Sequence, residues 1–139
     1  PPMSDDNFWP GPGLYDVEVV GESHYQRNIE RIAGPLSDDG IRAEFVADII
    51  LEKDNPHDPN AVRVDIAGLT VGHLSRNDAP AIRAALKPAG IKSGMSVQVK
   101  AVIVGGRTGQ NFGVWLDIPT VRTPTGKPPK KPWWKFGRS

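Results

Sequence analysis

Residues 14–20 read Leu-Tyr-Asp-Val-Glu-Val-Val. Apolar and charged positions nearly alternate, which predicts a strand with one face buried. Residues 41–53 predict a longer second strand, its end marked by Ile49-Ile50-Leu51. Residues 61–66 alternate as Ala-Val-Arg-Val-Asp-Ile and predict a third. Ala67-Gly68 marks a tight turn, and 69–74 a fourth strand. Residues 97–104 and 112–118 give the last two, joined by a glycine-rich hairpin tip at 105–110. Two segments change to helical spacing. Tyr25, Ile29 and Ile32 share one face, with Ser23 as the expected N-cap and Gly34-Pro35 as the stop. Ala79, Ile82 and Leu86 share another, with Ser75 as cap and Asp78 at the reciprocal box position. Lys87-Pro88 and Gly90 close that helix. Six short strands and two helices predict a mostly β, α+β chain folded as a small antiparallel barrel. The barrel is expected over 14–118. An irregular stretch covers 1–13, containing one exposed-looking pair, Phe8-Trp9, and a linker-like tail covers 119–139.

The link between the second and third strands is the most unusual stretch. It reads Asp54-Asn55-Pro56-His57-Asp58-Pro59-Asn60. Each proline fixes its own φ and drives the residue before it out of the helical region. Asn and Asp side chains bond to nearby backbone and stabilise turns. A two-residue hairpin needs none of this. Two readings fit: a rigid structural turn, or a loop that holds polar groups in fixed positions.

Charge narrows the possible partners. The chain has 139 residues and a net charge of +1, with all sixteen acidic residues before position 120. The six Lys/Arg from 120 onward make the tail +6 and the body −5. A coat for duplex phosphates should be basic, so a nucleic-acid site on this body should be small and local. No apolar run approaches the roughly twenty residues that span a bilayer, and no signal-peptide pattern opens the chain, which together predict a cytoplasmic protein with no membrane partner. Cysteine is absent, which excludes disulfides and thiolate chemistry. His24, His57 and His73 lack the close spacing of a zinc site, and no cofactor is expected.

Candidate chemistry is sparse. His57 and Asp58 could form an acid/base pair, but neighbours in a turn seldom face each other, and no nucleophile elbow is present. Gly105-Gly106 lacks the Gly-Lys-Ser/Thr of a phosphate loop. The chain is therefore read as a non-enzyme. Arg76 stands in the first turn of the second helix, beside N–H groups that an anion could use. Histidine and tyrosine rings at 24 and 25 could stack on unpaired bases. His73 reads as a hydrogen-bonded strand histidine or as a ligand contact. Trp133-Trp134 among lysines reads as a terminus or a binding arm.

Three motifs occur in a fixed order: Val20-Gly21 with Tyr25; Asn55-Pro56-His57-Asp58-Pro59-Asn60-Ala61-Val62-Arg63-Val64; and Val71-Gly72-His73-Leu74-Ser75-Arg76 with Ala79. Together they resemble the HIRAN domain over about 14–118. The resemblance implies an OB-like or SH3-like barrel. It also implies the function of the helicase-linked members, capture of the free 3′-hydroxyl end of single-stranded DNA. By that resemblance Asp58 accepts a hydrogen bond from the hydroxyl, Asn55 shapes the same pocket, and His57 is a DNA-binding residue of the same loop. Tyr25 and His24 stack on the last bases. His73 and Arg76 contact the terminal phosphates, helped by the Gly21 to Ser23 turn, and Phe112 lines the far wall. Where helicase-linked members carry Arg-Tyr-Tyr, this chain has Ser23-His24-Tyr25.

The expectation is a non-catalytic module for single-stranded DNA or its 3′ ends, in a repair or replication-fork setting. A helicase, a nuclease or another repair protein is the implied partner, and DNA binding would make the protein nucleoid-associated. The alternative is a protein-interaction barrel whose pocket has diverged. A hydrolase is the third reading.

Overall fold

The computed structural model describes residues 8–107 and 110–119. The strands are β1 (Val17–Val20), β2 (Ile41–Leu51), β3 (Val62–Ile66), β4 (Leu69–Leu74), β5 (Ser96–Gly105) and β6 (Phe112–Asp117). They close an antiparallel barrel in the order β1-β4-β3-β2-β5-β6. A 3₁₀ turn, Glu22–Tyr25, leads into α1 (Gln26–Ala33), and α2 (Asp78–Leu86) follows β4. The six-stranded barrel with two helices expected from the alternation is the one observed.

Alternation becomes packing directly. Val62, Val64 and Ile66 of β3 are buried, while Arg63 and Asp65 between them are only partly covered. Val97, Val99, Ala101 and Ile103 do the same on β5. Ile29 of α1 and Ala79, Ile82 and Leu86 of α2 join the same core. Each fully buried Val, Leu or Ile side chain contributes about 1.5–3 kcal/mol of transfer free energy. Ser75 caps the second helix as expected. Its Oγ accepts the Asp78 N–H at 3.0 Å, and its carbonyl accepts the Ala79 N–H at 2.9 Å.

Three expectations change. The first strand begins at Val17, not at residue 14. The Asp117 carboxylate, 3% exposed, accepts the N–H groups of Gly13 (2.8 Å) and Leu14 (3.2 Å), which removes them from any ladder. Trp9 is not exposed. It is buried at 5%, and its N–H donates to the Gln98 carbonyl at 2.8 Å. Ser23 does not cap a helix, because it lies inside the 3₁₀ turn that precedes α1, and no side-chain cap forms there. The basic tail from 120 onward, with Trp133-Trp134, and Thr108-Gly109 of the hairpin tip lie outside the described residues. No helix among the described residues is long and apolar enough to cross a membrane.

β2 is paired unequally on its two sides. β2 pairs with β5 over Ile41–Ile50, but with β3 only over Ala47–Leu51.

Candidate functional site

The proline-bearing loop is a set of side chain-to-backbone turns. Asn55 Oδ1 accepts the N–H groups of His57 (2.9 Å) and Asp58 (3.0 Å). Asp58 Oδ1 accepts the Asn60 N–H at 3.0 Å, and the Asp58 carbonyl accepts the Ala61 N–H at 3.1 Å. Asp54 takes a left-handed φ of 63°, a conformation that Asn and Asp tolerate better than most residues. Pro56 and Pro59, whose rings fix their own φ, stand between these bonds.

The base of the loop is clamped from α2. Arg83 Nε donates to the Asn60 carbonyl at 2.9 Å. Its Nη2 donates to the carbonyls of Glu52 (2.8 Å) and Ala61 (2.9 Å), and Nη1 donates to Ser93 Oγ at 2.9 Å. A planar guanidinium with donors in a fixed fork suits this role, because the two loop ends present carbonyls side by side.

Glu52 carries the loop into the barrel wall. Its Oε1 accepts the Asn55 side-chain N–H at 3.1 Å and lies 3.6 Å from His73 Nε2, an ion pair when the imidazole is protonated. Its Oε2 lies 3.7 Å from Arg63 Nη1. Arg63 Nε also donates to Asp65 Oδ1 at 3.1 Å, and Thr70 Oγ1 donates to the same oxygen at 2.9 Å. Sheet register explains the grouping: Arg63 and His73 are cross-strand partners, and His73 pairs with Val20 on its other side.

Tyr25 comes to the same wall through two glycines. Gly21 has φ 76°, a left-handed turn that starts the 3₁₀ segment, and its carbonyl accepts the His24 N–H at 3.0 Å. Gly72 lies under β1, where a Cβ would be 2.5 Å from Val19 Cγ1 and 2.6 Å from the Val20 oxygen. Its missing side chain lets the segment after β1 settle on β4. The Tyr25 and His73 rings then lie 6.4 Å apart at a tilt of 49°. Burial pushes the Glu22 carboxyl above its usual range. The Glu18 charge adds to this, and a backbone hydrogen bond opposes it.

A continuous path of contacts thus runs Tyr25–His73–Glu52–Asn55–Asp58. Ser23, His24 and His57 are exposed around it. Arg76 is exposed and makes no ion pair with a described residue. Phe112 departs from expectation. It is 3% exposed, and a Cβ on Gly106 would collide with its ring, so the ring belongs to the core and not to a pocket wall. Its backbone is held by Gln26, which accepts its N–H at 2.8 Å and donates to its carbonyl at 3.2 Å.

Glu52, Arg63 and Arg83 escaped the sequence reading. Arg63 had a signal: a strand that alternates Val-Arg-Val-Asp places Arg63 and Asp65 on one face. Glu52 and Arg83 gave none: apart from Asn55, three residues from Glu52, their partners are backbone groups and side chains that only the fold brings near. The chain matches no family model, no curated protein and no solved structure.

Proposed function

We propose that the barrel is a non-catalytic module that binds the 3′-hydroxyl end of single-stranded DNA, as its resemblance to the HIRAN domain implies. The path of contacts from the Tyr25–His73 ring pair to the Asn55–Asp58 bend is the observation that carries this reading. Two recognition elements, one for a base and one for a sugar hydroxyl, are mechanically tied to each other.

The chemistry fits a strand terminus better than a strand interior. Asp58 uses Oδ1 within its own bend, and its second oxygen has no hydrogen-bond partner among the described residues. An ionised carboxylate only accepts hydrogen bonds. A 3′-hydroxyl offers a donor, whereas an internal phosphodiester offers a negative charge and no donor. Asp58 therefore selects ends and rejects continuous backbone. The Tyr25 ring, with His24 beside it, offers a stacking surface, and Arg76, exposed and without an ion pair to a described residue, offers a cation for a phosphate.

Titration of a short labelled single strand, followed by fluorescence anisotropy at low salt, tests the reading. Tyr25→Ala should weaken binding by roughly 5- to 150-fold, the equivalent of about 1–3 kcal/mol for one stacked base. A second reading, a protein-interaction barrel, is favoured by the pairing of Arg63 with both Glu52 and Asp65, which leaves the wall acidic. Failure of the wild-type chain to bind any single strand under those conditions selects this second reading.

A further inference from the structure

Among the described residues, the first half of β2 has no strand paired to it on the β3 side. Leu51 directs its backbone toward β5: its N–H donates to the Met95 carbonyl at 3.0 Å, and its carbonyl accepts the Gly94 N–H at 2.8 Å. Glu52 points the other way, its N–H donating to the Ala61 carbonyl at 3.0 Å. Backbone groups alternate along a strand, and the β2–β5 register is unbroken from Ile41 to Ile50. Arg42 and Glu44 therefore aim their N–H and C=O groups at the β3 side. β3 ends there at Ile66, opposite Ala47. No backbone–backbone hydrogen bond joins these groups to a described residue on that side. The side chains of Arg42 and Glu44 are 60% and 59% exposed, and Val46 is 51% exposed.

We propose that this edge pairs with the same edge of a second copy, antiparallel, about a two-fold axis at Ala43. Backbone polarity allows only registers in which outward-facing residues meet outward-facing residues. Centring on Arg42 sets two guanidiniums opposite each other, and centring on Glu44 sets two carboxylates opposite each other, both destabilising. Centring on Ala43 sets Arg42 opposite Glu44 of the second copy, twice. Each of these pairs exchanges both backbone hydrogen bonds. Ile41 then lies opposite Phe45 of the second copy on the other face, also twice. Ala43 meets Ala43 at the closely spaced, non-hydrogen-bonded position, where a small side chain fits. Charged side chains on an edge discourage indiscriminate strand pairing. Here their order makes one pairing self-complementary, as an isologous two-fold contact requires.

The interface is short, so the dimer is weak, and mass should rise with concentration up to roughly 100 μM chain. The test is sedimentation equilibrium on the full chain and its charge variants. Arg42→Glu and Glu44→Arg each place like charges across the axis, and each should lower the association constant at least about tenfold. The double variant Arg42→Glu/Glu44→Arg should dimerise again. A mixture of the two single variants should also recover association, since each then faces its complement. Within one chain Arg42 Nη1 lies 3.8 Å from Glu44 Oε2, and loss of that ion pair cannot produce recovery on mixing. A wild-type chain that stays monomeric at every concentration overturns the proposal. So does a dimer indifferent to the single swaps, or single variants that do not recover when mixed.

Discussion

His73 Nε2 lies 3.6 Å from Glu52 Oε1, and the same oxygen receives the Asn55 side-chain N–H at 3.1 Å. One carboxylate therefore ties a strand histidine to the residue that shapes the loop. Asn55→Ala removes this link together with the two bonds to His57 and Asp58. The expected cost is about 1–3 kcal/mol of folding stability, because the Asp58 N–H and the Glu52 carboxylate left behind are partly sheltered, while the exposed His57 N–H turns to water. Urea unfolding measures it. His57→Ala is the matched control in the same loop and should stay within about 0.5 kcal/mol, as substitutions at exposed positions usually do. Equal effects for the two variants contradict an Asn55-centred loop.

Arg83 makes four hydrogen bonds to the two ends of the loop and to Ser93. Arg83→Lys keeps the charge but loses the fork, since one ammonium cannot reach both chain ends as a planar group does. A loss of about 2–3 kcal/mol is expected from the carbonyls left unpaired. Hydrogen exchange of the Ala61 and Asn60 amides should also quicken more than that of the core strands. Full retention of stability in the lysine variant contradicts the clamp.

Glu22 supplies a pH dependence of known sign. Burial raises its folded-state pKa above the unfolded value, so the fold binds this proton more tightly than the unfolded chain does. Its favourable contribution is complete below the unfolded-state pKa of about 4.3 and is lost as pH rises through the folded-state value. At neutral pH the ionised Glu22 is therefore a liability. Glu22→Gln should melt at a higher temperature than wild type at pH 7, and the gap should close as pH falls below about 4. A gap that does not change with pH rules this out.

The barrel was legible because its strands bury alternate residues, and that pattern survives in sequence wherever one face is wet. The loop was legible because Asn and Asp act on backbone only a few residues away. Ser23 misled for a related reason: a Ser before an apolar spacing resembles a cap. Gly21, two residues earlier, instead starts a 3₁₀ turn, and α1 begins at Gln26. Trp9, Asp117 and Arg83 were illegible. Their roles depend on Gln98, on Gly13 and Leu14, and on the loop carbonyls, all brought near only by closure of the barrel. Phe112 was illegible for the same reason: its ring is buried against Gly106, across the hairpin.

The most direct test compares a short single strand ending in a 3′-hydroxyl with the same strand ending in a 3′-phosphate, against wild type and Asp58→Asn. Asparagine can still accept the Asn60 N–H through its Oδ1, so the bend persists while the carboxylate charge is lost. Wild type should prefer the hydroxyl end by roughly tenfold or more, the equivalent of about 1.4 kcal/mol, and the variant should lose most of that preference. Equal affinity of the wild-type chain for the two ends contradicts the account.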